Sequence, residues 1–546
     1  MIVLGVGPGL KLGHHDGAAA LVVDGKIVAA AEEERFLRVK HARGELPLRA
    51  TQWCLRRAGV SIREVDAVAS PLRTYRHYDR RLRDYFQFHF GHSPTVRLME
   101  HHLCHIASSY LVSGFGEALA FSLDFSGDSC SGLVVEARER ELRERKRFAR
   151  ENSLGVYYGM LSQFLGFQMT EDEFKVMGLA SYGKPQPKYL EAFNQILRYD
   201  GAGGYHLDAQ FDKRIVDREI YTTDFVTRQE QMFSPAWIAL FGAPRREGEK
   251  IQEYHADIAA SGQQCLENVV VEMVRFWHQQ TGLRKLCLAG GIALNVKMNG
   301  TLRGLDCVDD IFVQPASGDA GVPLGAALLV AHEEGKAISP MNDAALGPQY
   351  SEIEIEKVLR MLRASYIRPK DLIEEVVTDL VSGKIAGWFQ GRMEFGPRAL
   401  GHRSILADPR DAAMKDHINE VVKFREEFRP FCPSVTLEDA HRFFLNACES
   451  PFMAMVFDVI EEQKSAIPAV THVDGTARVQ TVRRELDPLY WRLLKTFEAR
   501  SGIPVLLNTS MNVKGEPIAL APEHAVRVFY GSGMDTLAIG PFILRK

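Results

Sequence analysis

Ala118-Leu-Ala-Phe-Ser-Leu-Asp-Phe-Ser-Gly-Asp128 decides the fold, because its apolar run ends in a carboxylate and a polar turn. The run predicts a buried strand, and a second apolar run follows the turn at Leu133-Val-Val-Glu136. The same order occurs near the N-terminus. There Ile2 to Val6 precedes the polar turn His14-His15-Asp16-Gly17 and two apolar runs joined at Asp24-Gly25, a strong hairpin signal. A strand, a turn and a hairpin that occur twice predict duplicated halves with a ligand between them.

Actin-like nucleotide folds are duplicated in this way, and loops at the ends of their strands hold phosphate groups. Three Gly-rich turns fit this interpretation: Lys175-Val-Met-Gly178-Leu-Ala-Ser-Tyr-Gly183, Ala289-Gly290-Gly291-Ile-Ala-Leu-Asn295 and Ser317-Gly-Asp319-Ala-Gly321. Glycine lets a ligand approach the backbone, and free N–H groups at a helix start accept a phosphate. Tight turns need glycine in any case, so each turn alone has an equally good structural explanation. Together the turns favour nucleotide binding.

His101 and His105 are four residues apart in a helix predicted over Met99 to Val112, so they face the same side. Asp124 ends the buried strand, and Asp319 lies in a Gly-rich turn. Two imidazoles and two carboxylates suit Fe(II), Mn(II) or Zn(II) better than a thiolate metal. The pair has no Glu between its members, so the base of an H-E-x-x-H protease is missing. The chain has 18 His, so a chance pair beside a turn Asp is the open alternative.

Arginine side chains beside Gly or Pro turns mark the C-terminal part. They lie in Gly391 to Arg410, in Lys423-Phe-Arg425 and in Phe428-Arg429-Pro430. Guanidinium groups held rigidly in this way suit phosphate recognition, and ordinary surface ion pairing is the open alternative. An apolar run from Ile503 ends in Asn508-Thr-Ser510-Met-Asn512, where hydroxyl and amide groups suit a ligand rim or a plain turn.

Length and composition predict a folded, soluble protein of two to four domains, with 546 residues, 46% hydrophobic and 25% charged. We place the main boundary at about residue 345, giving domains 1–345 and 346–546. A net charge of −4 gives no reason to bind nucleic acid or an anionic membrane. Eight Cys without a C-x-x-C pair, no signal-peptide pattern and no long apolar stretch predict a cytoplasmic protein.

Three further segments have clear patterns. The mixed-charge run Glu136 to Glu151 predicts a solvated hairpin or helix face, because acids and bases interleave. Helical spacing of apolar residues predicts a long packed helix over Glu253 to Gln280, and a helix begins after Ser351. Residues 70–95 and 185–250 give no interpretable pattern.

From end to end the chain resembles the NodU/CmcH family of ATP-dependent O-carbamoyltransferases. The pieces that carry the resemblance occur in the family's order. They are His15-Asp16-Gly17, Glu33-Glu-Arg-Phe36, His101-His-Leu-Cys-His105, Lys175 to Gly183, Ala289 to Asn295, Ser317 to Gly321, Phe395-Gly-Pro-Arg-Ala-Leu-Gly-His-Arg-Ser-Ile405 and Asn508 to Asn512.

The resemblance implies an α/β protein with two parts. The first is a duplicated actin-like (ASKHA) domain that transfers the carbamoyl group, and the second is a YrdC-like α/β domain. The YrdC-like domain would combine carbamoyl phosphate and ATP into carbamoyl-adenylate, releasing phosphate and pyrophosphate. The actin-like domain would then move the carbamoyl group to a hydroxyl of a small-molecule natural product such as an antibiotic, and AMP would leave. A homodimer is the expected assembly.

The resemblance also implies roles for single residues. Fe(II) would be held by His101, His105, Asp124 and Asp319, and Mg would accompany ATP. His15, with Asp16, would act on the acceptor hydroxyl; the family pattern His-Asp favours His15 over His14. The remaining positions are nucleotide or carbamoyl phosphate ligands. In the first domain they are Lys175, Gly178, Gly290, Gly291 and Asn295, and in the second Arg398, Lys423, Arg425, Arg429, Arg478, Ser510 and Asn512.

Other enzymes of related fold are the alternatives. A hydrogenase-maturation carbamoyltransferase would carry C-x-x-C zinc fingers and the opposite domain order. A tRNA threonylcarbamoylation fusion would need a basic surface, which the net charge of −4 does not favour. A non-catalytic actin-like chaperone would not need the C-terminal Arg, Ser and Asn set, and a sugar kinase would transfer phosphate and need no carbamoyl donor.

Overall fold

The computed structural model describes residues 1–8, 15–216 and 231–546. The chain forms two compact units. The first consists of Met1–Val28 and His41–Met341, and the second of Ala29–Lys40 and Asn342–Lys546. A segment near the N-terminus therefore belongs to the second unit. His14 and part of the uninterpreted stretch 185–250 lie outside the described residues.

Two five-stranded sheets with the same connectivity build the first unit. Their orders are β3-β2-β1-β4-β5 and β12-β11-β6-β7-β8. β1 pairs antiparallel with β2 and parallel with β4, just as β6 pairs with β7 and β11. The strands, including the separate pair β9 and β10, are β1 Ile2–Gly7, β2 Ala18–Val23, β3 Lys26–Glu32, β4 Ala67–Ser70, β5 Thr95–Leu98, β6 Glu117–Gly127, β7 Cys130–Arg138, β8 Glu141–Ala149, β9 Leu197–Tyr199, β10 Tyr205–Leu207, β11 Lys285–Ala289 and β12 Asp310–Val313. The predicted α/β class and the predicted duplication are confirmed.

The corresponding turns of the two sheets have the same backbone conformation. Asp24 and Gly25 join β2 to β3 with φ of +47° and +78°, and Asp128 and Ser129 join β6 to β7 with φ of +46° and +69°. Two consecutive residues with positive φ give the strand twist that a two-residue hairpin needs. The hairpin predicted from Asp24-Gly25 is confirmed.

Helices pack on both sheets of the first unit. They are Leu48–Ala58, Tyr78–Phe90, His101–Tyr110, Leu154–Phe164, Glu173–Ala180, Pro187–Ile196, Lys213–Val216, Pro235–Phe241, Glu253–Thr281, Val296–Arg303 and Val322–Glu333. The predicted long helix is confirmed as Glu253–Thr281. The predicted charged hairpin is confirmed as β7 and β8.

The helix Val322–Glu333 is buried over almost its full length and organises the first unit. A Cβ on Gly5 of β1 would lie 1.9 Å from the Pro323 carbonyl oxygen, and one on Gly325 would lie 1.8 Å from the Cys104 carbonyl oxygen. Only glycine allows this close approach of backbones. The helix is therefore fixed against both β1 and the helix His101–Tyr110.

A seven-stranded mixed sheet of order β18-β15-β19-β14-β13-β20-β21 forms the second unit, beside the pair β16 and β17. Its strands are β13 Ala386–Phe389, β14 Arg403–Ala407, β15 Cys432–Thr436, β16 Val456–Asp458, β17 Thr476–Arg478, β18 Gln480–Val482, β19 Val505–Ser510, β20 Thr536–Ile539 and β21 Phe542–Arg545. Its helices are Glu33–Leu37, Glu352–Met361, Leu372–Val381, Ala413–Ile418, Pro488–Ser501 and Pro522–Tyr530. The core lies between the sheet and the helices Leu372–Val381 and Pro488–Ser501. Each helix of the described residues is too short or too polar to cross a membrane.

Candidate metal centre and anion-binding site

Two imidazoles and two carboxylates converge in the first unit. Nε2 of His105 lies 3.0 Å from Asp124 Oδ2 and 3.8 Å from Asp319 Oδ1. Nε2 of His101 lies 3.5 Å from Asp124 Oδ2 and 3.6 Å from Asp319 Oδ1. Ligand atoms held about 2.0–2.2 Å from one ion lie about 3 to 3.5 Å apart, so these separations fit a bound metal. This buried His/Asp group could therefore hold a metal ion.

Asp128 and Glu100 fix the start of the helix that carries both histidines. Asp128 Oδ2 accepts the His101 N–H at 2.9 Å, and the Glu100 carboxylate caps the helix by accepting the Leu103 N–H at 2.6 Å. A Cβ on Gly127 would lie 2.1 Å from His101 Cδ2, so the imidazole rests directly on the backbone of β6. The absence of a side chain at Gly127 is what lets His101 reach Asp124.

Asp319 reaches the cluster because it begins the short turn Asp319–Gly321, which leads into the helix Val322–Glu333. Gly325 brings that helix against Cys104, which lies between the two histidines in sequence. Asp124 is also held in place, because the Gly291 N–H donates to its Oδ1 at 3.1 Å. All four predicted ligands are therefore placed by close backbone packing.

Electrostatics also favour a cation here. Burial opposes protonation of His101, but the Asp124 carboxylate, 3.5 Å from its Nε2, and the charge of Asp319 raise its pKa to about 9. Burial would raise the pKa of Asp124, yet His101 and His105 hold it well below its usual range. Nε2 of His101 is buried and makes no well-formed hydrogen bond within the described residues. Two carboxylates and an unused imidazole nitrogen suit Fe(II), Mn(II) or Zn(II).

His15 and Asp16 form a second group in the first unit, and the structure adds His41 to it. His15 Nδ1 donates to Asp16 Oδ2 at 2.6 Å, and His41 Nδ1 donates to Asp16 Oδ1 at 2.7 Å. The Asp16 N–H in turn donates to the His41 carbonyl oxygen at 2.6 Å. Burial lowers the pKa of His15, but the Asp16 carboxylate outweighs it and raises that pKa to about 9. Sequence spacing does not single out His41, because it lies 25 residues from Asp16 and meets it only in the folded chain.

The Gly-rich turns of the first unit are engaged within the protein. Gly290 has φ of +90° and donates its N–H to the Ser317 carbonyl oxygen at 2.7 Å. Asn295 caps the helix Val296–Arg303 by accepting the Met298 N–H, and its side chain exchanges two hydrogen bonds with Gln263. Their role in holding an adenylate stays a prediction.

Lys175 and Gly178 lie in the helix Glu173–Ala180. The Lys175 ammonium lies 3.0 Å from Asp172 Oδ2 and 5.7 Å from the Phe167 ring centroid. These contacts orient the lysine within the first unit, and its nucleotide role also stays a prediction.

In the second unit, Lys423 joins two of the other predicted ligands, Ser510 and Asn512. Its buried ammonium donates to the Ser510 carbonyl oxygen, to Ser510 Oγ at 3.3 Å, and to Asn512 O and Oδ1 at 3.0 and 2.9 Å. Ser510 Oγ donates to Asn512 Oδ1 at 2.7 Å. Burial, with the charges of Arg425 and Arg429, holds the pKa of Lys423 well below its usual range.

Four arginines form a connected cluster with this lysine, which Arg425 and Arg429 join to Arg398 and Arg478. Burial and the charges of Arg478 and Arg429 lower the pKa of Arg398 to about 9. Burial and the same two charges lower the pKa of Arg425 to about 9. Among the described carboxylates, Glu426 approaches Arg429 at 3.8 Å. Positive charges that lower one another's pKa in this way are stabilised by a bound anion. The cluster is therefore a candidate phosphate site.

These features define the class as an α/β protein that has a candidate metal centre in one unit and a candidate anion site in the other. A model of the carbamoyltransferase N-terminus matches residues 7–71 and 72–328, and one of the carbamoyltransferase C-terminus matches residues 377–546. The chain therefore belongs to the carbamoyltransferase family. The resemblance found in the sequence and the prediction of an O-carbamoyltransferase enzyme are confirmed.

Relatives of similar length support this assignment. The chain is 37% identical to nodulation protein NolNO of Sinorhizobium fredii, with 100% of this chain and 83% of the relative covered. It is 40% identical to nodulation protein NolO of Bradyrhizobium diazoefficiens, covering 82% and 79%. It is 30% identical to nodulation protein U of Sinorhizobium fredii, covering 93% of both chains.

Solved structures are more distant. HypF of T. kodakarensis aligns with a TM-score of 0.36 and 13% identity, over 62% of this chain and 48% of HypF. A ROK hexokinase from Thermus thermophilus aligns with a TM-score of 0.29 and 16% identity, over 62% of this chain and 100% of the kinase. At TM-scores this low, neither likeness carries an argument about function.

Proposed function

We propose that this carbamoyltransferase depends on ATP and works through two half-reactions, one in each unit. The observation that carries the proposal is the buried Lys423, which is bound to Ser510 and Asn512. The charges of Arg425 and Arg429 act on this lysine, and Arg398 and Arg478 extend the same cluster of cations. So many clustered cations suit a substrate pair with several phosphate groups, such as carbamoyl phosphate and ATP.

The first half-reaction would form carbamoyl-adenylate in the second unit. Water releases phosphate from carbamoyl phosphate and leaves carbamate. A carbamate oxygen then attacks the α-phosphorus of ATP, a P–O bond forms, and pyrophosphate leaves with Mg. Arg398, Lys423 and their neighbours would stabilise the charge that develops on the phosphate oxygens. The reaction replaces the poor leaving group of a carbamate with AMP.

The second half-reaction would take place in the first unit. The acceptor hydroxyl attacks the carbonyl carbon, AMP leaves, and His15 accepts the hydroxyl proton. Asp16 orients the His15 ring through Nδ1, and His41 holds the other oxygen of Asp16. A metal held by His101, His105, Asp124 and Asp319, with Fe(II) expected, would supply Lewis-acid polarisation.

A His15 pKa near 9 sets a condition on this role, because the imidazole is then mostly protonated at pH 7. Proton acceptance requires the neutral form. The rate of transfer should therefore rise with pH until the pKa is passed. We propose as acceptor a hydroxyl of a small-molecule natural product rather than a nucleic acid, in keeping with the net charge of −4.

Pyrophosphate release tests the first half-reaction directly. Full-length protein is mixed with ATP, Mg²⁺ and carbamoyl phosphate in the absence of an acceptor. The proposal expects pyrophosphate to appear only when carbamoyl phosphate is present. Formation of ADP in its place would favour a sugar kinase or an ATPase and would contradict the proposal.

A further inference from the structure

The segment Glu33-Glu-Arg-Phe36 matched the family but has no part in the chemistry above. In the structure it belongs to the second unit, although it lies near the N-terminus. Its short helix Glu33–Leu37 places Phe36 against the buried side chains of Met393, Ile518 and Leu520. These three residues flank the two loops that carry the predicted anion ligands.

Glu32 and Arg35 hold the first of these loops. Glu32 Oε1 accepts the Gly396 N–H at 2.8 Å, and Arg35 Nη2 donates to the Gly396 carbonyl oxygen at 3.0 Å. The same Arg35 nitrogen lies 3.3 Å from Glu32 Oε1, and each of the two residues is only 4% exposed. Both backbone polar groups of Gly396 are therefore bound by one buried ion pair, two residues before Arg398.

A buried ion pair of this kind contributes little to the free energy of unfolding, because desolvation of both charges offsets their attraction. Gly396 also has φ of +115°, a conformation that its surroundings must hold in place. The pair is thus better explained by the geometry it imposes on the loop than by its contribution to folding.

Arg38 holds the second loop in the same manner. Its Nη1 donates to the Ile518 carbonyl oxygen and its Nη2 to the Pro517 carbonyl oxygen, both at 2.6 Å. This stretch is tied to the anion ligands, because Asn512 Nδ2 donates to the Glu516 carbonyl oxygen at 2.7 Å. Both loops are therefore bound by residues that lie in or directly beside one short helix.

We propose that Glu32, Arg35 and Arg38 are positioning residues for carbamoyl-adenylate formation. Arg35 and Glu32 set the position of Arg398, and Arg38 sets the position of the Ser510 to Asn512 loop. The inference rests on the proposed function. It gives residues 29–40 a role in the site of the second unit. These residues lie outside the range 377–546 that the carbamoyltransferase C-terminus model matches.

The test uses Arg35→Lys in the full-length protein, because lysine keeps the charge but has only one nitrogen. The arginine reaches Glu34 through Nη1 at 3.1 Å, and Glu32 and the Gly396 carbonyl oxygen through Nη2. We expect the KM for carbamoyl phosphate in pyrophosphate release to rise by roughly ten- to a hundredfold. Asp379→Asn is the matched control, a buried carboxylate of the same unit bound by Lys384, Thr536 and Arg545. It should lower the melting temperature and leave that KM unchanged.

A double-mutant cycle separates positioning from general damage. If Arg35 acts through Arg398, Arg35→Lys has little further effect on the KM in an Arg398→Lys background. An unchanged KM in folded Arg35→Lys, or an equal effect in both backgrounds, would overturn the inference while wild-type activity still supports the proposed function. Absence of pyrophosphate release from the wild type would defeat both. If Arg35→Lys does not fold, Glu32→Gln and Arg38→Lys decide by the same measurement.

Discussion

Replacing Asp16 by Asn is expected to lower the pKa of His15 from about 9 to below 6.5. In the structure the Asp16 carboxylate accepts from His15 at 2.6 Å and from His41 at 2.7 Å. Asn has almost the same shape and no charge, and it tolerates the φ of +60° found at this position. The substitution therefore removes the charge and adds little backbone strain.

The size of the effect follows from the two pKa values. The difference between 6.5 and about 9 corresponds to about 3 kcal/mol of preference for the protonated imidazole in the folded protein. The His15 side chain is 29% exposed, so solvent screening makes this an upper value. Because the folded pKa is the raised one, this stability is fully present below pH 6.5 and is lost as the pH rises through about 9. Asp16→Asn should therefore show its largest loss of stability relative to wild type below pH 6.5, and this loss should shrink as the pH rises through about 9.

NMR titration of protein with labelled histidines measures this pKa without an acceptor, and His15→Gln identifies the signal. Asp24→Asn is the matched control, since Asp24 also has positive φ, at +47°, but its side chain is 60% exposed and pairs with the N-terminus. A wild-type His15 that titrates near 6.5, or one unmoved by Asp16→Asn, would refute the account of this group.

Three further changes separate the two half-reactions. Arg398→Ala combined with Ser510→Ala should abolish pyrophosphate release and leave the metal content of the protein unchanged; lost metal would contradict separate sites. Gly127→Ala places a Cβ 2.1 Å from His101 Cδ2, so metal content should fall, whereas Gly116→Ala, with open space around it, should keep it. His41→Gly should slow AMP release with water as acceptor, and His41→Asn, which retains a donor near Nδ1, should restore much of the rate. Equal rates for these two variants would rule out the contact between His41 and Asp16 as the cause.

The metal candidates were predictable because their signals are local. The spacing of His101 and His105 places both on one helix face, and Asp124 follows the buried strand. Asp319 could be identified as a candidate ligand only from its Gly-rich turn together with the family resemblance. The structure supplies what sequence spacing cannot, namely the packing of the helix Val322–Glu333 that brings Asp319 to the histidines.

Contacts between distant segments were not predictable from spacing. The sequence pattern predicts a turn at Asp128 but does not show that its carboxylate binds the start of the His101 helix. His41 meets Asp16 across 25 residues, and Arg35 meets Gly396 across 361. None of these pairs leaves a periodic signal, because each depends on two segments that become neighbours only when the sheets have formed.

Single-turnover analysis of His101→Ala is the measurement that tests the division of labour most directly. The variant is mixed with ATP, Mg²⁺ and carbamoyl phosphate, and pyrophosphate, carbamoyl-adenylate and AMP are followed together. The account predicts that pyrophosphate and carbamoyl-adenylate form as in the wild type, while the enzymatic release of AMP is lost. Loss of pyrophosphate release in a folded variant would show that the first unit takes part in adenylate formation and would contradict the account.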